Sequence, residues 1–227
     1  FVSKNIINFN ESDTIYDLII VGSGPSGSII ANDLKNKLNF KILDAGRFIQ
    51  KDYYSYSEIV TKYKNAGVNI TFGNSQISFV EALCVGGGSE INSGLFHKLP
   101  DEIIKSWQEN FKLDINMDNS EIIYEDIIKK LSIQNYINKD DIPKASIILK
   151  KGADSINFNC KEIPRWVKYD KSSGKYIKNS VVGTYLDKEL IKNNLSENTK
   201  VIKLKYDKNH WKIFTKSYNN KKIIKAK

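Results

Sequence analysis

Apolar positions change their spacing three times along this chain. The segment Ile15–Val21 is short, rich in β-branched residues and ends in glycine, which predicts a strand buried on both faces. From Ser26 to Lys37 the apolar residues Ile29, Ile30 and Leu34 recur at helical spacing. Phe40–Gly46, "FKILDAG", is again a short apolar run and predicts a second strand. Strand, glycine turn, helix and strand make one βαβ unit. Such a unit needs a parallel sheet and places the chain in the α/β class.

Beyond this unit the pattern is weaker. Tyr53–Asn74 is polar and aromatic-rich, and predicts a helix with an irregular connection. Glu81–Pro100 carries three consecutive glycines between apolar neighbours. Helical spacing returns near Ile103–Phe111, Ser120–Leu131 and Ile142–Lys151. Tyr169–Lys178 predicts a polar loop, and Val181–Asn194 a helix. From Thr199 the pattern alternates as in strands, through "KVIKLKYD", "HWKIFTKSY" and "KKIIKAK". There is no internal repeat and no low-complexity linker.

Composition narrows the function classes. Hydrophobic residues make up 41% of the 227, enough for a sizeable core in one or two domains. The net charge of +9 raises nucleic acid as a partner. However, 33 of the 35 basic residues are Lys, scattered rather than striped with aromatics, and Arg is the better base reader. No nucleic-acid role is expected. Cys84 and Cys160 stand apart without a C-x-x-C, which predicts a reducing compartment and a cytoplasmic location. No segment has the roughly 18 uninterrupted apolar residues of a membrane span. Two His and two Cys without ligand spacing predict no metal site. The chain begins at Phe1, not Met, and reads as a processed or partial product.

The candidate chemistry lies first in "GSGPSG". Gly22, Gly24 and Gly27 fit G-x-G-x-x-G, between a predicted strand and a predicted helix, and Asp44 follows Gly24 by 20 positions at the end of the next strand. In such a turn Gly22 permits the exit from the strand, Gly24 leaves space for a pyrophosphate, and Gly27 lets the helix pack closely. The N–H groups of the first helical turn then face the phosphates. Asp44 is the expected acceptor for the adenosine ribose hydroxyls. The motif alone leaves NAD and FAD open; the second glycine cluster, and the lack of a second G-x-G-x-x-G, favour flavin.

The second cluster, "CVGGGSEINSGLFHKLP", resembles the signature of the glucose–methanol–choline (GMC) oxidoreductases: Gly86, Gly87, Ser89 and Asn92 match, with Lys98, Pro100 and Trp107 following. "YDLIIVGSGPSG", "ILDAG" and, more weakly, "GTYLDKELIKNN" with the strand after it also resemble this family. The resemblance implies a Rossmann-like FAD-binding fold on a parallel sheet, incomplete here, with part of a helical or substrate region. The expected division is 1–110 for the FAD-binding part, 111–180 for a helical insertion opening the substrate domain, and 181–227 for a return to the FAD-binding domain.

The same resemblance implies oxidation of the CH–OH group of a small-molecule alcohol, with hydride passing to FAD and an electron acceptor of unspecified kind. By resemblance Pro25 and Ser26 join the glycines at the pyrophosphate. Gly87, Gly88, Asn92, Ser93 and Leu95 lie along the flavin, and Val201 offers its backbone to adenine. Ile91 stands where some members carry a flavin-linking histidine, which implies noncovalent FAD. His97 and His210 do not match the family's base, so no catalytic residue is assigned and the catalytic His is expected beyond residue 227. Two alternatives stay open from the sequence: another two-domain flavoprotein acting on amines or ketones, and an inactive nucleotide-binding fragment.

Overall fold

The computed structural model describes residues 9–49, 56–136, 139–218 and 220–227. In chain order the elements are β1 (Asn10–Tyr16), β2 (Leu18–Val21), α1 (Pro25–Leu34), β3 (Phe40–Leu43), α2 (Tyr56–Lys62), β4 (Asn69–Ile70), β5 (Ser78–Phe79), α3 (Gly88–Ile91), α4 (Asp101–Phe111), α5 (Met117–Lys130), β6 (Ile133–Gln134), α6 (Lys144–Ser155), β7 (Arg165–Asp170), β8 (Lys175–Lys178), α7 (Lys188–Asn194), β9 (Leu195–Ser196), β10 (Lys200–Asp207), β11 (His210–Ser217) and β12 (Asn220–Ala226). They form two compact units. One holds the described residues of Phe1–Asn92 and Val181–Lys227; the other is Ser93–Ser180.

In the first unit β2, β3 and β9 form a parallel sheet in the order β2-β3-β9. This is the βαβ unit that the apolar spacing predicts, and the mixed α/β class holds. Successive side chains of a strand point to opposite faces, and here both faces are covered. Ile20, Phe40 and Ile42 pack with Ala31 of α1 and Leu190 of α7. Ile19 and Leu43 pack the other way, against Ile213, Val201 and Ile224 of the second sheet. That sheet runs β1-β12-β11-β10, antiparallel except where β1 joins β12 in parallel.

Phe40 is 2% exposed between α1 and α7. Phe40→Ala is expected to lower unfolding free energy by about 3–5 kcal/mol through lost burial and the cavity left behind. Denaturant unfolding measures it, and a loss below about 1 kcal/mol, the scale of a surface substitution, would place Phe40 outside the core.

Three expectations change. The run Ile15–Val21 is two strands in different sheets, because Asp17 turns the chain: its N–H donates to Asn39 O at 2.8 Å and its carboxylate accepts from Asn39 N and Lys227 Nζ. The helix expected over Val181–Asn194 covers only Lys188–Asn194. Val181–Leu186 instead forms a buried turn through Gly183, and Asp187 caps α7 by accepting from Leu190 N at 2.8 Å. Tyr169–Lys178, expected as a loop, is mostly the hairpin β7–β8 in the second unit. The carboxylate of Asp170 accepts hydrogen bonds from Ser172 N, Ser172 Oγ and Ser173 Oγ. Those hydroxyls hold its pKa down at about 2, and Gly174 takes the left-handed conformation that closes the turn. The rings of the cross-strand pair Tyr169–Tyr176 pack at a 58° tilt with centroids 5.0 Å apart.

The part of the expected Tyr53–Asn74 segment before Tyr56 lies outside the described residues. Among the described residues, no helix is long and apolar enough to cross a membrane.

Candidate nucleotide site

The first glycine turn is shaped by close contact. Gly22 leaves β2 with φ +89°, and its N–H donates to Leu43 O at 2.8 Å. A Cβ built on Gly27 would lie 2.1 Å from Gly22 O and 3.1 Å from Ile20 Cγ2. The first turn of α1 therefore rests on the carbonyl that ends β2, which only glycine permits. Helix α1 starts with Pro25 at its first position, with no side chain capping it at Gly24 and no acidic residue in its first turn. Its first N–H groups have no intrahelical partner, and the helix dipole makes this end positive. A Cβ at Gly22 or Gly24 would meet nothing within 4 Å, and Pro25 and Ser26 are exposed. The end of α1 thus presents an open, positively polarised cradle.

Behind the turn lies a polar relay that the motif does not name. Ser23 is fully buried, and Asp44 is 7% exposed. Asp44 Oδ2 accepts from Ser23 N at 2.8 Å and from Ser23 Oγ, while Oδ1 accepts from Gly46 N at 2.7 Å. Ser23 Oγ in turn accepts from Gly86 N at 3.0 Å. Asp44 also anchors the chain that leads into β10: Thr199 N donates to Asp44 O at 2.7 Å.

Gly86 belongs to the second glycine cluster, so the relay ties the two clusters together across 63 residues of sequence. They also meet directly. Gly87 has φ +57°, and a Cβ there would lie 3.0 Å from Gly24 Cα. One position on, a Cβ at Gly88 would meet nothing within 4 Å. The cluster is held from the other side by Gly46, whose Cβ would fall 2.3 Å from Cys84 N. Cys84 is buried, and burial, with Glu90 nearby, pushes its thiol up to about 12, so it stays protonated and unreactive. Ser89 Oγ closes the turn by donating to Gly86 O at 2.8 Å and accepting from Val181 N.

The structure thus brings Gly22, Gly24, Pro25, Ser26, Gly27, Asp44, Gly87 and Gly88 into one region of the first unit. Asn92 is exposed just after α3. Val201 sits in β10, one of the two edge strands of its sheet, two residues after Thr199. Ser93 and Leu95 belong to the second unit. Ser23 and Gly46 were not singled out from the sequence. Ser23 occupies an unspecified position in the motif, and its burial and its bonds to Asp44 and Gly86 reveal its part.

The family model described as GMC oxidoreductase matches residues 16–221. The chain belongs to the GMC oxidoreductases. Among curated GMC relatives, an uncharacterized GMC-type oxidoreductase of Sinorhizobium fredii is 22% identical over 153 residues, covering 66% of this chain and 30% of that protein. Two long-chain-alcohol oxidases of Arabidopsis thaliana are 24% and 28% identical over 66% of this chain, and cover 20% and 21% of their own lengths. The solved structure of pyridoxine 4-oxidase from Mesorbium loti shares the fold with a TM-score of 0.67 at 11% identity. That match covers 96% of this chain and 48% of that one. This GMC chain therefore spans about half of the solved oxidase and a fifth to a third of the curated relatives.

Proposed function

We propose that this chain supplies the FAD-binding part of an oxidoreductase that oxidises the CH–OH group of a small-molecule alcohol. The observation that carries the proposal is the union of the two glycine clusters, made by the Gly86 N–H on Ser23 Oγ and the approach of Gly87 to Gly24 Cα. A mononucleotide needs one phosphate cradle. Two abutting glycine-lined surfaces, both open at Gly24 and Gly88, suit a ligand with a pyrophosphate and a large planar ring. The family membership and the two alcohol oxidases among the relatives support the oxidoreductase class and the substrate class.

In this reading Gly22, Gly24, Pro25, Ser26 and Gly27 hold the pyrophosphate. The N–H groups of α1 donate to it, and the absence of an acid in the first turn keeps that end positive. Asp44 Oδ1, which among the described residues accepts from Gly46 N, has a lone pair left for a ribose hydroxyl. The backbone of Val201 on the edge of β10 meets adenine. Gly87, Gly88 and Asn92 lie along the flavin. Bound FAD supplies the hydride acceptor for the carbinol carbon. No base is assigned here: His97 lies exposed in the second unit, and His210 opens β11 opposite Asp207.

Ile91 cannot form the link that a histidine would, so FAD is held without a covalent bond. Acid precipitation of the yellow full-length protein is expected to leave the colour in the supernatant. Colour retained in the pellet contradicts this. Anaerobic addition of primary and secondary alcohols is then expected to bleach the bound flavin. Bleaching by amines alone overturns the substrate class.

A further inference from the structure

The second glycine cluster is fixed from behind by the end of α2, which no motif marks. Lys62, the last residue of α2, is 1% exposed, although a lysine at a helix end ordinarily reaches solvent. Its Nζ lies 3.2 Å from Glu58 Oε1, one turn earlier in α2, and 3.9 Å from Glu90 Oε2 in α3. Glu90 is itself 3% exposed, and its side chain lies against Gly86, where a Cβ would meet Glu90 Cγ at 2.8 Å. The next residue, Tyr63, donates its hydroxyl to Ile91 O at 3.2 Å, at the last residue of α3. The backbone joins in: Leu83 N donates to Lys62 O at 2.7 Å, and Lys64 N to Glu81 O at 2.8 Å. Lys62–Lys64 therefore grips both the strand-like approach to the three glycines and the short helix that leaves them.

Burying an ion pair is costly against an apolar core and is weak evidence of stabilisation by itself. A helix of four residues also cannot hold its own orientation through nucleation-limited hydrogen bonding. Both facts point to placement as the use of the buried charges. We propose that Lys62 and Tyr63 are positioning residues for the flavin end of the cofactor: they set the three-glycine turn and α3 from behind, and so determine the grip on the ring system rather than on the adenosine. This rests on the assignment of the second cluster to the flavin.

The test compares FAD with ADP on the full-length protein stripped of flavin. ADP reaches only the first glycine turn, Asp44 and the β10 edge, so it reports everything but the ring end. In Lys62→Met, FAD is expected to bind about tenfold more weakly while ADP stays within about twofold, since breaking a buried pair displaces the groups it held. Tyr63→Phe removes one hydroxyl and leaves the ring in place, so it folds even where Lys62→Met does not. It is expected to weaken FAD about threefold, the scale of one hydrogen bond, again with ADP unmoved. The visible absorption bands of bound flavin should shift in both variants, which a general loss of stability does not cause. Equal losses of FAD and ADP, or no loss of either with an unchanged spectrum, overturn the positioning role. Wild-type protein that takes up ADP but not FAD overturns the flavin assignment itself, and the positioning role with it.

Discussion

Gly27→Ala is expected to lower unfolding free energy by about 2–4 kcal/mol, the upper range for overpacking, and to abolish nucleotide binding. The added methyl would lie 2.1 Å from Gly22 O, a backbone atom that cannot swing aside. Either α1 lifts from the sheet or the strand end bends. Lifting separates Ala31, which is fully buried, from Ile20, Phe40 and Ile42. It also moves the first-turn N–H groups away from the position where a phosphate would sit. Denaturant unfolding and FAD titration together check this. An alanine variant with wild-type stability and affinity would show that α1 does not need its close seat on β2. Alanine is a better helix former than glycine, so propensity alone predicts the opposite sign.

Asp44→Ala is expected to cost more than one contact to the ligand. Three donors depend on its carboxylate: Ser23 N, Ser23 Oγ and Gly46 N. Stranding buried donors costs about 1–3 kcal/mol each when no water replaces the acceptor, so a loss of about 2–5 kcal/mol in the ligand-free protein is expected. The effect should spread to the second glycine cluster, because Ser23 Oγ also holds Gly86 N. Asp44→Asn keeps the shape and one acceptor, and its loss should be smaller. Thermal unfolding without FAD separates the two roles. An Asp44→Ala variant as stable as the parent, but weakened for FAD, would reduce Asp44 to a ligand contact alone.

The sequence made some of this visible and hid the rest for physical reasons. The βαβ unit showed itself because a fully buried parallel strand and an amphipathic helix differ in apolar period, and Gly22 marks the join. Strand β1, "NESDTIY", was invisible because it is polar and gains its place from parallel backbone pairing with β12, 210 residues distant at Tyr16 and Ala226. Tyr169–Lys178, most of the β7–β8 hairpin, reads as a loop because its polarity conceals a cross-strand tyrosine pair. The candidate site was legible at its glycines, whose lack of a side chain is what the local geometry requires. Ser23 and Lys62 were not legible, since a buried serine or lysine is spelled like an exposed one. Only the partners Asp44, Gly86 and Glu90 reveal what each does.

The claim that one FAD lies across both glycine clusters is tested most directly by titrating FAD into the full-length protein beside Gly24→Leu. Gly24 faces open space on its Cβ side, so a leucine there fills the cradle without disturbing the packed side of the turn. The account predicts one FAD per chain in the wild type, and no measurable binding in Gly24→Leu with stability retained. Gly24→Leu protein that binds FAD with the affinity of the wild type would contradict it.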